Sequence, residues 1–149
     1  MKVILASAIL MMSNAAGAAP ARPPLEHLGK PAVNGQALPF SDAVRVGDTL
    51  YLSGQLGIGP DGKLPEGIEA QTKQALDNVG AILKRAGVGY EDVFHCTAML
   101  SDMKDWPAMN KVYVTYFPEG KRPARSAFGT NGLALGGLIE LECQAYAGK

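Results

Sequence analysis

Ala43-Val-Arg-Val-Gly-Asp-Thr-Leu-Tyr-Leu-Ser-Gly-Gln55 alternates apolar and polar residues on both sides of Gly47-Asp48, the pattern of two antiparallel strands joined by a two-residue turn. Successive side chains of a strand point to opposite faces. Leu50, Leu52 and Leu56 therefore share an oily side, while Thr49, Tyr51, Ser53 and Gln55 share a polar one. From Ile68 the period changes: Ile68, Ala75, Leu76, Val79, Ile82, Leu83 and Ala86 recur at helical spacing, and Gly87 follows as a stop. A third strand is expected from Asp92 to Leu100, with Phe94, Cys96, Ala98 and Leu100 on one side and His95, Thr97 and Met99 on the other.

Asp105-Trp106-Pro107 reads as the capped start of a second helix. Trp106, Met109, Val112, Tyr113, Tyr116 and Phe117 make its apolar stripe, a core pattern rather than a cofactor box, and Pro118 stops it. Two more strands, Ala124 to Thr130 and Leu138 to Ala147, close the chain around a glycine-rich stretch. That stretch lacks a P-loop lysine and opens no helix, so it is no phosphate cradle. In the last strand Ile139, Leu141, Cys143, Ala145 and Ala147 form the apolar side, and Glu140, Glu142, Gln144 and Tyr146 the polar side. The order β-β-α-β-α-β-β predicts an α+β fold in which one sheet carries two helices on a single face. Tyr51, Gln144 and Tyr146 on the other face suit coverage by another copy of the chain in a symmetric oligomer.

Ahead of this domain, assigned to residues 39–149, Lys2 precedes an apolar run from Val3 to Met12 that leads into Ala16-Gly17-Ala18. This is a signal-peptide pattern over residues 1–18; the run is about half of the roughly 20 apolar residues that a membrane span needs. The expectation is a secreted, periplasmic protein with no membrane insertion after processing. Residues 19–38, rich in Pro, Ala and Gly, read as an extended lead-in holding an exposed His27. The 149-residue chain carries 14 basic and 14 acidic residues, a balance that points to no nucleic-acid partner. Cys96 and Cys143 can form a bridge in an oxidising compartment or remain two buried thiols, and spacing does not decide between them. With His27 and His95 they assemble no zinc motif, and no metal site is expected.

Arg122-Pro-Ala-Arg-Ser-Ala-Phe128 followed by Leu138-Ile-Glu-Leu-Glu-Cys143 resembles the paired C-terminal strands of the RidA/YjgF family. Pro39-Phe-Ser-Asp-Ala-Val44, Leu52-Ser-Gly-Gln55, Gln74-Ala-Leu-Asp-Asn-Val79 and Met109-Asn110 with Tyr113 and Phe117 are similar to further family motifs, in order, from about Ala37 to the end. The resemblance implies a chorismate-mutase-like fold and a homotrimer with sites in the clefts between subunits, without metal or organic cofactor. It also implies a 2-iminobutanoate/2-iminopropanoate deaminase type of enzyme, which hydrolyses 2-enamino and 2-imino acids to 2-oxo acids and ammonia. On this reading Arg125 grips the substrate carboxylate as a guanidinium fork, and Glu140 orients the attacking water or relays a proton. The amide of Ala127, the carbonyl of Gly54, Asn110 and the ring of Phe40 complete the substrate-binding set. Two positions depart from the family pattern: Ala127 stands where cysteine is common, and Phe40 where tyrosine is common. The alternative is a non-catalytic module that holds a small carboxylate in the same cleft; a ribonuclease activity, ascribed to some relatives, lacks a basic stripe here.

Overall fold

The computed structural model describes residues 22–29, 32–33 and 35–148; the expected signal peptide, residues 1–18, lies outside them. The hairpin is present as β4 (Ala43–Val46) and β5 (Thr49–Leu52), following β1 (Leu25–Leu28), β2 (Ala32–Val33) and β3 (Gln36–Ala37). Val46 pairs with Thr49, and Gly47 takes φ 57° in the turn between them, a conformation that glycine adopts without a Cβ clash. Next come β6 (Gln55–Leu56), α1 (Ile68–Arg85), β7 (Val93–Leu100), α2 (Trp106–Tyr113), β8 (Ala124–Gly129) and β9 (Ile139–Tyr146). The main sheet has the order β1-β4-β5-β9-β7-β8, with β6 also paired to β9. Among the described strands of this sheet only the β7–β8 pair is parallel.

Every second residue of the inner strands points to one face, where Leu50, Leu52, Cys96, Ala98, Leu100, Ile139, Leu141, Cys143 and Ala145 are buried under Ala75, Leu76, Val79 and Leu83 of α1 and Met109 and Tyr113 of α2. Arg45 ties the far end of α1 to the sheet: its guanidinium donates to the Ala86 carbonyl at 2.7 Å and to the Ala147 carbonyl at 3.2 Å. These bonds satisfy a carbonyl that a helix end leaves without an internal partner. The opposite face carries Tyr51, Thr97, Met99, Glu140, Glu142, Gln144 and Tyr146, and no element of the described chain covers it. Tyr51 and Tyr146 remain 45% and 53% exposed there.

The structure departs from the sequence reading at five places. The two C-terminal strands are not paired with each other; β7 lies between β8 and β9. A strand that follows another through a crossover helix returns parallel to it, so α2 sets β8 beside β7 at the sheet edge. β9, apolar on alternate residues over its whole length, takes the interior position between β5 and β7. The lead-in contributes β1, an edge strand antiparallel to β4. Its side chains are largely exposed, so main-chain bonds hold it and no apolar period marks it. A bulge between Val93 and His95 sends Phe94 outward, 46% exposed, and puts Val93 in the core instead. Asp105 makes no side-chain cap; Asp102 accepts from the Lys104 amide at 2.9 Å and caps the short turn before α2. Finally, α2 ends at Tyr113, and Phe117 is buried from a looser turn beyond it.

Cys96 and Cys143 face each other across β7 and β9 with Cα atoms 4.1 Å apart, and they are bonded. The bridge joins residues 47 apart in sequence, and chain-entropy arguments give a loop of that size a stabilisation of about 4 kcal/mol. Reduction, or the Cys96→Ala/Cys143→Ala pair, is therefore expected to lower the unfolding free energy by about 2–4 kcal/mol. Urea unfolding with and without a thiol reductant measures it; coincident midpoints would mean that the bridge does not constrain the unfolded chain.

Candidate active site

Arg125 lies on the edge strand β8 in register with Cys96, so the pleat carries its side chain to the helix-covered face. There the guanidinium lies over the Tyr113 ring, 4.5 Å from the centroid, and one Nη is 3.8 Å from the Met109 sulfur. Neither contact neutralises it. Among the described residues the ion pairs are Arg45–Glu26, Lys73–Asp77, Arg85–Asp42 and Lys104–Asp102, so the Arg125 cation has no carboxylate partner. Asn110 follows Met109 on α2, and its Oδ1 is buried without a hydrogen bond, as is the Tyr113 hydroxyl. Ala127 sits two residues beyond Arg125 on the same edge strand, beside Ala98 and packed against the core. The outer side of β8 is unpaired among the described residues, which leaves alternate main-chain amides free to take an anionic ligand.

Glu140 belongs to the other face. It is in register with Met99 of β7 and Leu56 of β6, one residue out of phase with the buried Leu141. Its carboxylate lies against Gly54 so closely that a methyl group there would overlap it. Burial, and then the negative charge of Glu142 on the same face, raise the Glu140 pKa above the usual glutamate value. The Gly54 carbonyl accepts a hydrogen bond from the Gln55 side chain at 3.1 Å and keeps a second lone pair. Ser53 fixes this corner to the segment that holds Phe40: its hydroxyl donates to the Ser41 carbonyl at 2.7 Å and its amide to the Asp42 carbonyl at 2.9 Å. The Phe40 ring is 49% exposed.

The six candidate residues thus divide. Gly54 and Glu140 touch, with Phe40 tethered through Ser53; Arg125, Asn110 and Ala127 belong to the β8–α2 side. Within one chain Arg125 and Glu140 do not meet: three positions along β7 and two strands apart, they are separated by roughly 10 Å in each direction and face opposite ways. A groove of about 440 Å³ between α1 and α2, lined by Glu69, Lys73, Lys111, Val112, Thr115 and Tyr116, contains none of the six. Sequence reasoning placed Met109 and Tyr113 in the core and missed that they also seat Arg125. Their helical spacing marks them as buried, but which strand residue they meet depends on where β8 returns. Among the described residues no cluster of His, Cys, Asp and Glu is able to hold a metal ion.

Comparison with known proteins agrees with this framework. The profile of the endoribonuclease L-PSP family matches residues 32–147. The mouse (Mus musculus) protein named 2-iminobutanoate/2-iminopropanoate deaminase is 44% identical over 112 residues, which is 74% of this chain and 82% of that one. The crystal structure of RidA from an Antarctic Psychrobacter superposes with a TM-score of 0.71 at 39% identity, covering 78% of this chain and 93% of that one. The YjgF gene product of E. coli superposes with a TM-score of 0.73 at 31% identity, covering 81% and 98%. The chain is a member of the endoribonuclease L-PSP family, the RidA/YjgF family whose motifs its strands carry.

Proposed function

We propose that this protein is a hydrolytic deaminase of reactive 2-imino and 2-enamino acids, releasing 2-oxo acids and ammonia from sites completed between subunits of a homotrimer. The observation that carries the reading is the Arg125 guanidinium, seated on an aromatic face with no counter-ion among the described residues. A 2-imino acid offers the matching carboxylate, and the mouse relative is named for such substrates. Two-point binding of that carboxylate fixes the neighbouring imine carbon, so that attack by a held water becomes effectively intramolecular. Glu140 accepts a proton from the water as its oxygen bonds to the carbon of the protonated imine and the C=N π electrons pass to nitrogen, giving a neutral tetrahedral amino alcohol. Glu140 returns that proton to nitrogen, the C–N bond breaks to release ammonia, and the hydroxyl proton passes to the Glu140 carboxylate and then to ammonia as the C=O bond forms. The Ala127 amide supports the carboxylate, Gly54 and Asn110 orient the polar end, and Phe40 supplies an apolar wall. With alanine at position 127 no thiol takes part in this scheme.

The opposite facing of Arg125 and Glu140 supports a site shared between copies, Arg125 from one subunit meeting Glu140 of another. The uncovered face with Tyr51 and Tyr146 gives such copies an amphipathic surface to pack. Export to the periplasm, after loss of residues 1–18, is part of the same proposal and is supported by the Cys96–Cys143 bridge, a bond that persists in oxidising compartments.

Wild-type protein is expected to accelerate 2-oxobutanoate release from freshly generated 2-iminobutanoate; Arg125→Ala should abolish this, and Glu140→Gln should lower kcat by about 10²–10⁴-fold. Glu140→Gln that leaves turnover intact would remove Glu140 from the chemistry, and a wild type that binds 2-oxobutanoate without turnover would favour a carboxylate-binding module. Mixing and reassembling equal amounts of the two inactive variants should restore about a quarter of the sites if each needs Arg125 and Glu140 from different subunits; no recovery would place both residues in one chain's site. The pH profile supplies another check. Glu140 is the base when ionised and its pKa is raised, so activity should fall on acidification at a pH above the usual glutamate range. Glu142→Gln removes the like charge and should move that acid limb to lower pH.

A further inference from the structure

We infer that Tyr113 is a positioning residue for the carboxylate-binding arginine: its ring face, together with the Met109 sulfur that takes one N–H, holds the Arg125 guanidinium in one plane while leaving its charge unpaired and its other donors free. The inference rests on the reading of Arg125 as the group that grips substrate. An arginine on an edge strand has several rotatable bonds, and a two-point grip on a carboxylate requires the fork to stand in one orientation. An acidic partner would orient the fork but also cancel its charge and occupy its donors. An aromatic face attracts the cation through the ring quadrupole without using an N–H, and a thioether is a weak acceptor.

Tyr113 is itself held firmly. It is 3% exposed, and its ring centroid lies 4.7 Å from that of Phe117. Phe117 meets Tyr90 edge-on at 5.8 Å, and the Tyr90 hydroxyl donates to the Leu76 carbonyl of α1 at 2.7 Å. The orientation of the guanidinium is thereby referred back to α1. The Tyr113 hydroxyl has no hydrogen-bond partner, so the ring and not the oxygen does the holding. Burial pushes that hydroxyl up to about 12, against the pull of the Arg125 charge, and it stays neutral beside the cation across the physiological range.

Three replacements test this. Tyr113→Leu should raise KM for 2-iminobutanoate about tenfold with a smaller change in kcat, whereas Tyr113→Phe should stay within about twofold of wild type. In an Arg125→Ala background, Tyr113→Leu should add nothing to the loss of 2-oxobutanoate affinity. Where Tyr113→Leu fails to fold, fluorinated phenylalanines at 113 keep the ring shape and weaken its face charge, and KM should climb with each fluorine. An unchanged KM across that series, a Tyr113→Phe as damaging as Tyr113→Leu, or an undiminished effect without Arg125 would overturn the inference. NMR of the Arg125 Nε–H group separates this question from the deaminase reading: a ring-current shift present in wild type and Tyr113→Phe and lost in Tyr113→Leu is expected even if no imine is hydrolysed. Absence of that shift in wild type would also overturn the inference.

Discussion

The rest of the molecule follows from the burial of a single face of its central strand, β9. Ile139, Leu141, Cys143 and Ala145 are fully buried under the helices, and between them Glu140, Glu142, Gln144 and Tyr146 alternate onto a face that the described chain leaves bare. A slip of one residue would reverse both sets, so the register that builds the core also decides where the carboxylates stand. The cost of burying any of them unpaired in the apolar layer enforces that register from both sides. The same alternation on β8 sends Arg125 toward α2. The two charged residues of the proposed site are thus parted by the rule that makes the sheet, and in the proposed trimer a second subunit brings them together.

The electrostatics of the two halves differ in kind. Arg125 is kept as a free charge by contacts that orient without neutralising, a ring face and a sulfur. Glu140 is held where burial and Glu142 disfavour its ionised form, which makes it a better proton acceptor once ionised than a solvated carboxylate. A bound carboxylate would bring a negative charge to the first half and a hydrolysable carbon toward the second. Gly54, where any side chain would collide with Glu140, keeps the approach open.

Rigidity comes from ties among elements distant in sequence. The Cys96–Cys143 bridge locks β7 to β9 on the core face, Arg45 fastens the end of α1 to the sheet, and Gln71 on α1 accepts from the Leu138 amide just ahead of β9. Each tie holds a strand that carries or adjoins a site residue, and positioning within fractions of an ångström is what carboxylate-guided catalysis needs.

The amino-acid sequence by itself determined many of the elements and faces: the β4–β5 hairpin from Gly47-Asp48, the presence of two helices from their apolar period, and the opposition of Leu141 to Glu140 from alternation. Each is decided by neighbours within a few residues, and the family motifs marked Arg125 and Glu140 on the same local evidence. Tertiary structure alone decided what depends on partners far along the chain. The insertion of β7 between β8 and β9, the recruitment of residues 25–28 as an edge strand and the bonding of Cys96 to Cys143 all follow from strand order, which periodicity does not encode. The seat of Arg125 on Tyr113 and the facing of Arg125 away from Glu140 belong to this second class, because a local pattern tells a residue which face to take but not which distant residue it will meet there.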